Sequence, residues 1–272
     1  MKILIADDME GITGVVDWKH VDPDHSEYAR FRKIMTADVN AALRGAFNAG
    51  ADEVVITDGH NGGRNILIEE LDPRARLNSG SPSHLSMMEG VNNHVDAVLF
   101  VGYHARAGVV NAVLCHTWSD KLTNVWLNGR VVGEIGLNAC VAGWFGVPVL
   151  MISGCTSACA EACEWIEGIQ TAAVKNASGR FAAECLTPSV TQAMIEQTAE
   201  RAVRGFISGQ GPKALQVETP VRIRIEFANA AQADNAIVMP DTVRIDGRTV
   251  ETSMPDMPTA YRAFRALASL GQ

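Results

Sequence analysis

Aromatic residues are scarce in this 272-residue chain, at 6% of the whole, although nearly half of it is apolar. Ala, Val, Ile and Leu carry that apolar mass, and such small and branched side chains suit strands covered by helices better than a sandwich or barrel. Long hydrophobic runs are missing: none approaches the roughly 18–20 residues that span a bilayer, which excludes a transmembrane helix. Positive charge is thin as well. The formal net charge is −8 and the pI about 5.4, and no local run of Lys or Arg supplies the basic patch that nucleic-acid binding needs. A secretory apolar region and cleavage site are absent, because the N-terminus enters the strand-like run Lys2–Ala6 at once; the cytoplasm is therefore the expected compartment.

Six cysteines in a chain of this size make no disulfide framework. Cys155, Cys159 and Cys163 recur every fourth residue, on one side of a helix, and read as reduced thiols acting as small hydrophobes. The chain has no H-E-x-x-H, G-x-S-x-G, Walker A or G-x-G-x-x-G pattern, and its Gly59–Gly63 loop is not a phosphate loop. Serine-hydrolase and nucleotide-binding readings thus lose their usual support.

What is present is an alternation of short apolar runs with amphipathic stretches. Lys2–Ala6, Glu53–Thr57, Asp96–Val101 and Pro148–Ser153 read as buried strands, and Glu27–Ala49 as a long helix ending on Gly50. Asn65–Leu71 reads as a short helix. Asn124–Leu127, the Asn128-Gly129 turn and Arg130–Val132 form a hairpin, and Glu134–Phe145 has helical spacing. Beyond it lie helices near Ser157–Gly168 and Pro188–Ser208, a strand at Val221–Phe227, a turn at Asp246-Gly247 and a closing helix from Met257. Continuous apolar strands separated by helices predict an α/β fold: a largely parallel, mixed sheet covered by helices on both faces. Residues 1–272 are read as one α/β unit, with the option of two subdomains, the second starting at about residue 155 and packing on the first.

Chemistry gathers at the carboxyl ends of the strands, where open α/β sheets bind ligands. The first strand delivers Asp8 and Glu10, the second Asp58 and His60, and the third His104. Carboxylates and imidazoles together suit Zn²⁺, Mn²⁺ or Co²⁺ better than Ca²⁺. A carboxylate at a strand end can bridge two metals about 3.5–4 Å apart, a pair that activates water for hydrolysis. Glu134, at the start of a helix, offers a further carboxylate. A lone Asp or His at any of these places reads more simply as a cap or a structural hydrogen-bonder; three strand ends with the same chemistry favour a site. His20, His25, His84 and His94 lack that context and read as surface or structural residues.

The stretches Asp8-Met-Glu-Gly-Ile12, Asp58-Gly-His60, Gly102-Tyr-His-Ala-Arg-Ala107 and Gly133-Glu-Ile-Gly-Leu-Asn-Ala139 resemble the motifs of the zinc-dependent D-aminopeptidases of the DppA type. The likeness continues through Met87–Gly90, Thr171–Lys175 and Glu226–Asn229, in order along nearly the whole chain. It implies five protein ligands, Asp8, Glu10, His60, His104 and Glu134, around two zinc ions bridged by Asp8. It places His116 at the family's proposed nucleophile position. It also implies hydrolysis of N-terminal D-residues, D-Ala above all, from short peptides, by a homodecamer with an internal chamber. Asp7, where the family often has an uncharged residue, adds a carboxylate beside the site. His116 is expected to act as nucleophile, general base or transition-state hydrogen-bonder. Lys175 is expected either to stabilise an oxyanion or bind the peptide carboxylate, or to be a surface lysine.

Two other readings stand beside this one. A dinuclear phosphoesterase also gathers Asp and His at strand ends, but carries D-x-H and G-N-H-[DE] signatures; this chain has Asp8-x-Glu10 after its first strand and no G-N-H-[DE], although Asp58-Gly-His60 has the D-x-H form. A peptide-binding accessory protein would keep the metal for structure alone.

Overall fold

A computed structural model describes residues 1–272. The expected strands form as β1 (Lys2–Asp7), β2 (Glu53–Asp58), β4 (Ala97–Tyr103) and β7 (Val149–Cys155), with β3 (Ala75–Asn78) between β2 and β4 in sequence. Every residue of β4 and β7 is buried, as an apolar run demands when both faces of a sheet are covered. With β8 (Gln170–Gly179) and β9 (Ala182–Cys185) they make a seven-stranded sheet of order β3-β2-β1-β4-β7-β8-β9, parallel except for β9.

The chain steps from β1 to β2 in one direction along this sheet and from β7 to β8 in the other. Parallel crossovers are right-handed, so α1 (Tyr28–Asn48) and α3 (Thr156–Trp165), which make those two crossovers, lie on opposite faces. α4 (Pro188–Ile207) returns to pack along α1 and over β7 and β8, while α2 (Glu134–Trp144) packs on α3. The reversal of direction falls between β1 and β4. That switch point opens a crevice beyond the strand ends, the usual ligand position in such sheets.

A second, antiparallel sheet of order β11-β12-β10-β5-β6 takes the expected hairpin as β5 (Leu122–Leu127) and β6 (Arg130–Val131). Asn128 (φ 49°) and Gly129 (φ 85°) adopt the left-handed conformations a two-residue hairpin turn requires. β10 (Val221–Phe227), β11 (Thr242–Arg244) and β12 (Thr249–Met254) complete that sheet. Strands from before and after residue 155 therefore share both sheets. α5 (Ala230–Ala236) and α6 (Met257–Leu270) pack on the second sheet, and α6 also touches α2.

One expected element changes form, and one segment before the hairpin is irregular. Asn65–Leu71 contains only a single 3-10 turn at Ile68–Glu70, because the Asn65 and Ile66 amides are drawn instead to the Asp58 carboxylate. Val113–Thr117 is irregular, with Leu114 at φ 47° and its amide bonded to Arg180 O.

Candidate metal centre

Gly11 and Gly102 determine how the loop after β1 lies over the end of β4. The Gly11 amide donates to Gly102 O at 2.7 Å, and a Cβ on Gly11 would sit 2.0 Å from Tyr103 O. Gly102, at φ +74°, would put a Cβ 2.2 Å from Asp8 O. Only glycines allow that approach, which brings Asp8 and Glu10 beside His104. Across β1, Asp58 organises the loop that carries His60: its carboxylate accepts from Asn65 and Ile66, and Asn65 Nδ2 donates to His60 O at 2.7 Å. Asp58 thus shapes the site without joining it.

All six predicted residues converge. Asp8 Oδ1 lies 3.4 Å from His60 Nδ1, and Asp8 Oδ2 lies 3.3 Å from His104 Nε2. Glu10 Oε2 stands 3.1 Å from His60 Nδ1, and Glu134 Oε1 stands 3.2 Å from His104 Nε2. His116 stacks on His104 with ring centroids 4.0 Å apart, its Nε2 3.9 Å from both Glu10 Oε1 and Glu134 Oε1. Glu134 opens α2 after Gly133, where the helix dipole favours a carboxylate, and its Oε1 accepts from Trp118 N at 2.7 Å.

Each imidazole is also fixed from behind. His60 Nε2 meets Val21 O at 2.9 Å, His104 Nδ1 meets Ala105 O at 3.0 Å, and His116 Nδ1 meets Leu114 O at 2.8 Å. A carbonyl only accepts, so each of those nitrogens carries the hydrogen, and in the neutral imidazole that binds a metal the inward nitrogen presents the lone pair. This is how metal-ligating histidines are held. Asp8 Oδ2, Glu10 Oε2 and His104 Nε2 are buried without a hydrogen-bond partner, although Asp8 Oδ2 and His104 Nε2 face each other. Orphaned acceptors crowded together are costly unless a cation sits among them.

The electrostatics agree. Burial opposes charge on Asp8, yet His104 and His60 hold it below the ordinary carboxylate range. Glu10 and Asp8 hold His60, and Glu134 and Asp8 hold His104, well above the usual imidazole range despite burial. The cluster demands positive charge, which a divalent cation supplies directly. Asp7, also buried, points elsewhere: burial and then Asp58 push its carboxyl well up, and its Oδ1 lies 3.3 Å from the Gly59 amide.

The cluster floors a cavity of about 890 Å³ walled by Trp18, Trp118, the Ser81–Ser86 loop and one face of α6. His84, read from sequence as surface or structural, lines that wall, as do Arg262 and Arg265. Arg262 and Arg265 lie on the closing helix, and only the tertiary packing of α6 brings them to the site. Lys175 departs from both of its expected roles. It is fully buried on β8, with Nζ 2.7 Å from Glu10 O, 2.8 Å from Ile12 O and 2.7 Å from Val15 O, so it is neither at the surface nor free to meet substrate. Cys155 and Cys159 are buried and Cys163 exposed, all as free thiols.

An α/β sheet with a buried carboxylate–imidazole cluster at its switch point defines a metal-dependent hydrolase. The comparison with known proteins narrows the class. Residues 1–266 match the peptidase family M55, described as D-aminopeptidase, and the chain belongs to that family. It is 39% identical over 274 residues to the D-aminopeptidase of Bacillus subtilis (strain 168), covering 99% of this chain and 97% of that one. The solved Zn-dependent D-aminopeptidase DppA from Bacillus subtilis, described as a self-compartmentalizing protease, superposes with a TM-score of 0.96 at 38% identity, over 100% of this chain and 98% of that chain. The protein is a D-aminopeptidase of metallopeptidase type.

Proposed function

We propose that the protein is a dinuclear zinc D-aminopeptidase that removes N-terminal D-residues, D-Ala above all, from short peptides and amides. One observation carries the two-metal reading: the two oxygens of Asp8 face different imidazoles, His60 on one side and His104 on the other. Glu10 completes the His60 side and Glu134 the His104 side, so two ligand sets share Asp8. Mixed nitrogen and oxygen donors suit zinc, with Mn²⁺ and Co²⁺ as alternatives, and zinc is named for the solved relative.

Bound at these residues, the metal pair would polarise the scissile carbonyl and lower the pKa of water. His116 supports a separate role. Its Nδ1–H is held by Leu114 O, and its Nε2 points at the cluster beyond hydrogen-bond reach of either carboxylate. In that tautomer Nε2 takes a proton from the attacking group and returns it to the leaving amine. The edge of Trp18, with centroids 5.2 Å apart, keeps the imidazole from turning.

Hydrolysis of D-Ala-D-Ala, L-Ala-L-Ala and p-nitrophenyl phosphate, measured side by side, tests this function. Cleavage of the D-dipeptide alone is expected; phosphatase turnover without peptide cleavage would establish the phosphoesterase alternative. No helix is long and apolar enough to cross a membrane, consistent with a cytoplasmic enzyme. The self-compartmentalizing relative supports assembly into a homodecamer, for which light scattering should return the mass of ten chains of 29.2 kDa; the mass of a single chain would exclude it.

A further inference from the structure

We propose that Lys175 is a positioning residue: its ammonium ties the loop from Glu10 to Val15 into the shape that presents Glu10 to the metal. The amine reaches from β8 and spends its donors on the carbonyls of Glu10, Ile12 and Val15, three groups of one loop. An ammonium has three N–H bonds, so it is saturated by this loop and has none left for a substrate. The loop's other ties are the Gly11 amide to Gly102 O, the Thr13 amide to Asp38 Oδ2 at 3.1 Å and the Thr13 hydroxyl to Thr191 Oγ1 at 2.8 Å, with two local bonds, Ile12 N to Met9 O and Val15 N to Ile12 O, both at 3.2 Å. Without the ammonium, the Glu10 and Val15 carbonyls would be stranded and that of Ile12 left with the Val15 amide alone, and the peptide planes around Glu10 would turn to recover partners. The Glu10 carboxylate would move with them.

Lys175→Met, Lys175→Gln and Lys175→Arg separate this role from simple stability. Zinc affinity by chelator competition, turnover of D-alanine p-nitroanilide and amide hydrogen exchange are read on each. Lys175→Met should bind zinc at least tenfold more weakly and turn over about 100-fold more slowly, the effect of misplacing one group by about an ångström. Its exchange should quicken at residues 10–15 and stay slow in β4 and β7, and Lys175→Arg should recover part of the zinc affinity. Should the methionine variant not fold, Lys175→Gln, which keeps two donors, carries the same expectations. Wild-type zinc affinity and turnover, or exchange quickened evenly over the sheet, would overturn the role.

A second observation points to a substrate subsite, and it rests on the peptidase reading above. Arg262, Arg265, Ala266 and Ser269 line the cavity at helical spacing along α6, while Tyr261, Phe264, Leu267 and Ala268 are buried on its other side. The two arginines are the only Lys or Arg side chains on the cavity wall, and neither is within salt-bridge reach of a carboxylate. Arg265 is anchored, with Nη1 donating to Ser83 O at 2.9 Å and His84 O at 3.0 Å; the Arg262 guanidinium donates to the Thr259 hydroxyl alone, at 3.2 Å. We infer that Arg262, with Arg265 behind it, takes the free C-terminal carboxylate of a short peptide whose amino end lies at the metal ligands. Arg262→Gln should raise KM for D-Ala-D-Ala about tenfold, the loss of one charge-assisted bond, and leave D-Ala-D-Ala amide within about twofold. Equal change for acid and amide, or none, would overturn the subsite. Cleavage of neither compound by the wild-type enzyme would instead overturn the peptidase reading, and the subsite with it.

Discussion

His116 shows how one side chain can share a cluster without sharing its task. His104, His116 and Glu134 could together hold an ion by distance alone, but His116 Nε2 lies farther from its carboxylates than His60 and His104 lie from theirs. His116→Ala should therefore keep two metals per chain and lose about 10²–10⁴-fold in kcat, the ordinary worth of a positioned proton carrier. Elemental analysis and steady-state kinetics on one preparation check both; loss of one metal would make His116 a ligand. Asp8, Glu10, His60 and His104 were legible in the sequence because they sit within a few residues of strand ends. Glu134 and His116 owed their place to the family resemblance, since neither follows a strand of the first sheet. Lys175 was misread because a single lysine carries no periodic signal that distinguishes a buried amine from an exposed one.

Two elements set the geometry at the next scale. The turn at Gly102 is a close crossing of two chains, and Gly102→Ala adds a methyl 2.2 Å from Asp8 O in a conformation L-residues avoid. A loss of about 3 kcal/mol or more in urea unfolding is expected; a loss below about 0.5 kcal/mol would show that the loop can move aside. On α1, Asp38 is buried, accepts from Thr13 N and leaves Oδ1 unpartnered. Burial pushes its carboxyl up to about 6 from 3.8. Its folded pKa is raised, so its contribution to stability is complete below about pH 4 and lost as pH rises through about 6. Asp38→Asn, neutral throughout, should gain on the parent by of order 2 kcal/mol between pH 4 and pH 8. Thermal melts at both pH values check this; a constant gap would contradict it. The strands were legible as continuous apolar runs, buried throughout in β4 and β7, and the long helices by their amphipathic period. β3, β8, β9 and α5 escaped notice, since β3 and β9 span only four residues and β8 opens on exposed polar side chains.

At the scale of the whole molecule, the order of strands places the site. β1 and β4 are neighbours only because the chain reverses direction between them, and that puts Asp8 next to His104 from residues almost a hundred apart. The alternation of strands and helices announced the parallel sheet, but the reversal itself is a tertiary fact. So is the cavity wall, which needs α6 to fold back from the second sheet onto α2. Two ligand sets sharing one carboxylate are the central feature of the enzyme proposed here. The most direct test is to strip the protein of metal and titrate zinc back while following cleavage of D-alanine p-nitroanilide. Activity should rise to a plateau at two zinc ions per chain, whereas a plateau at one, or full activity in the metal-free protein, would contradict the dinuclear centre.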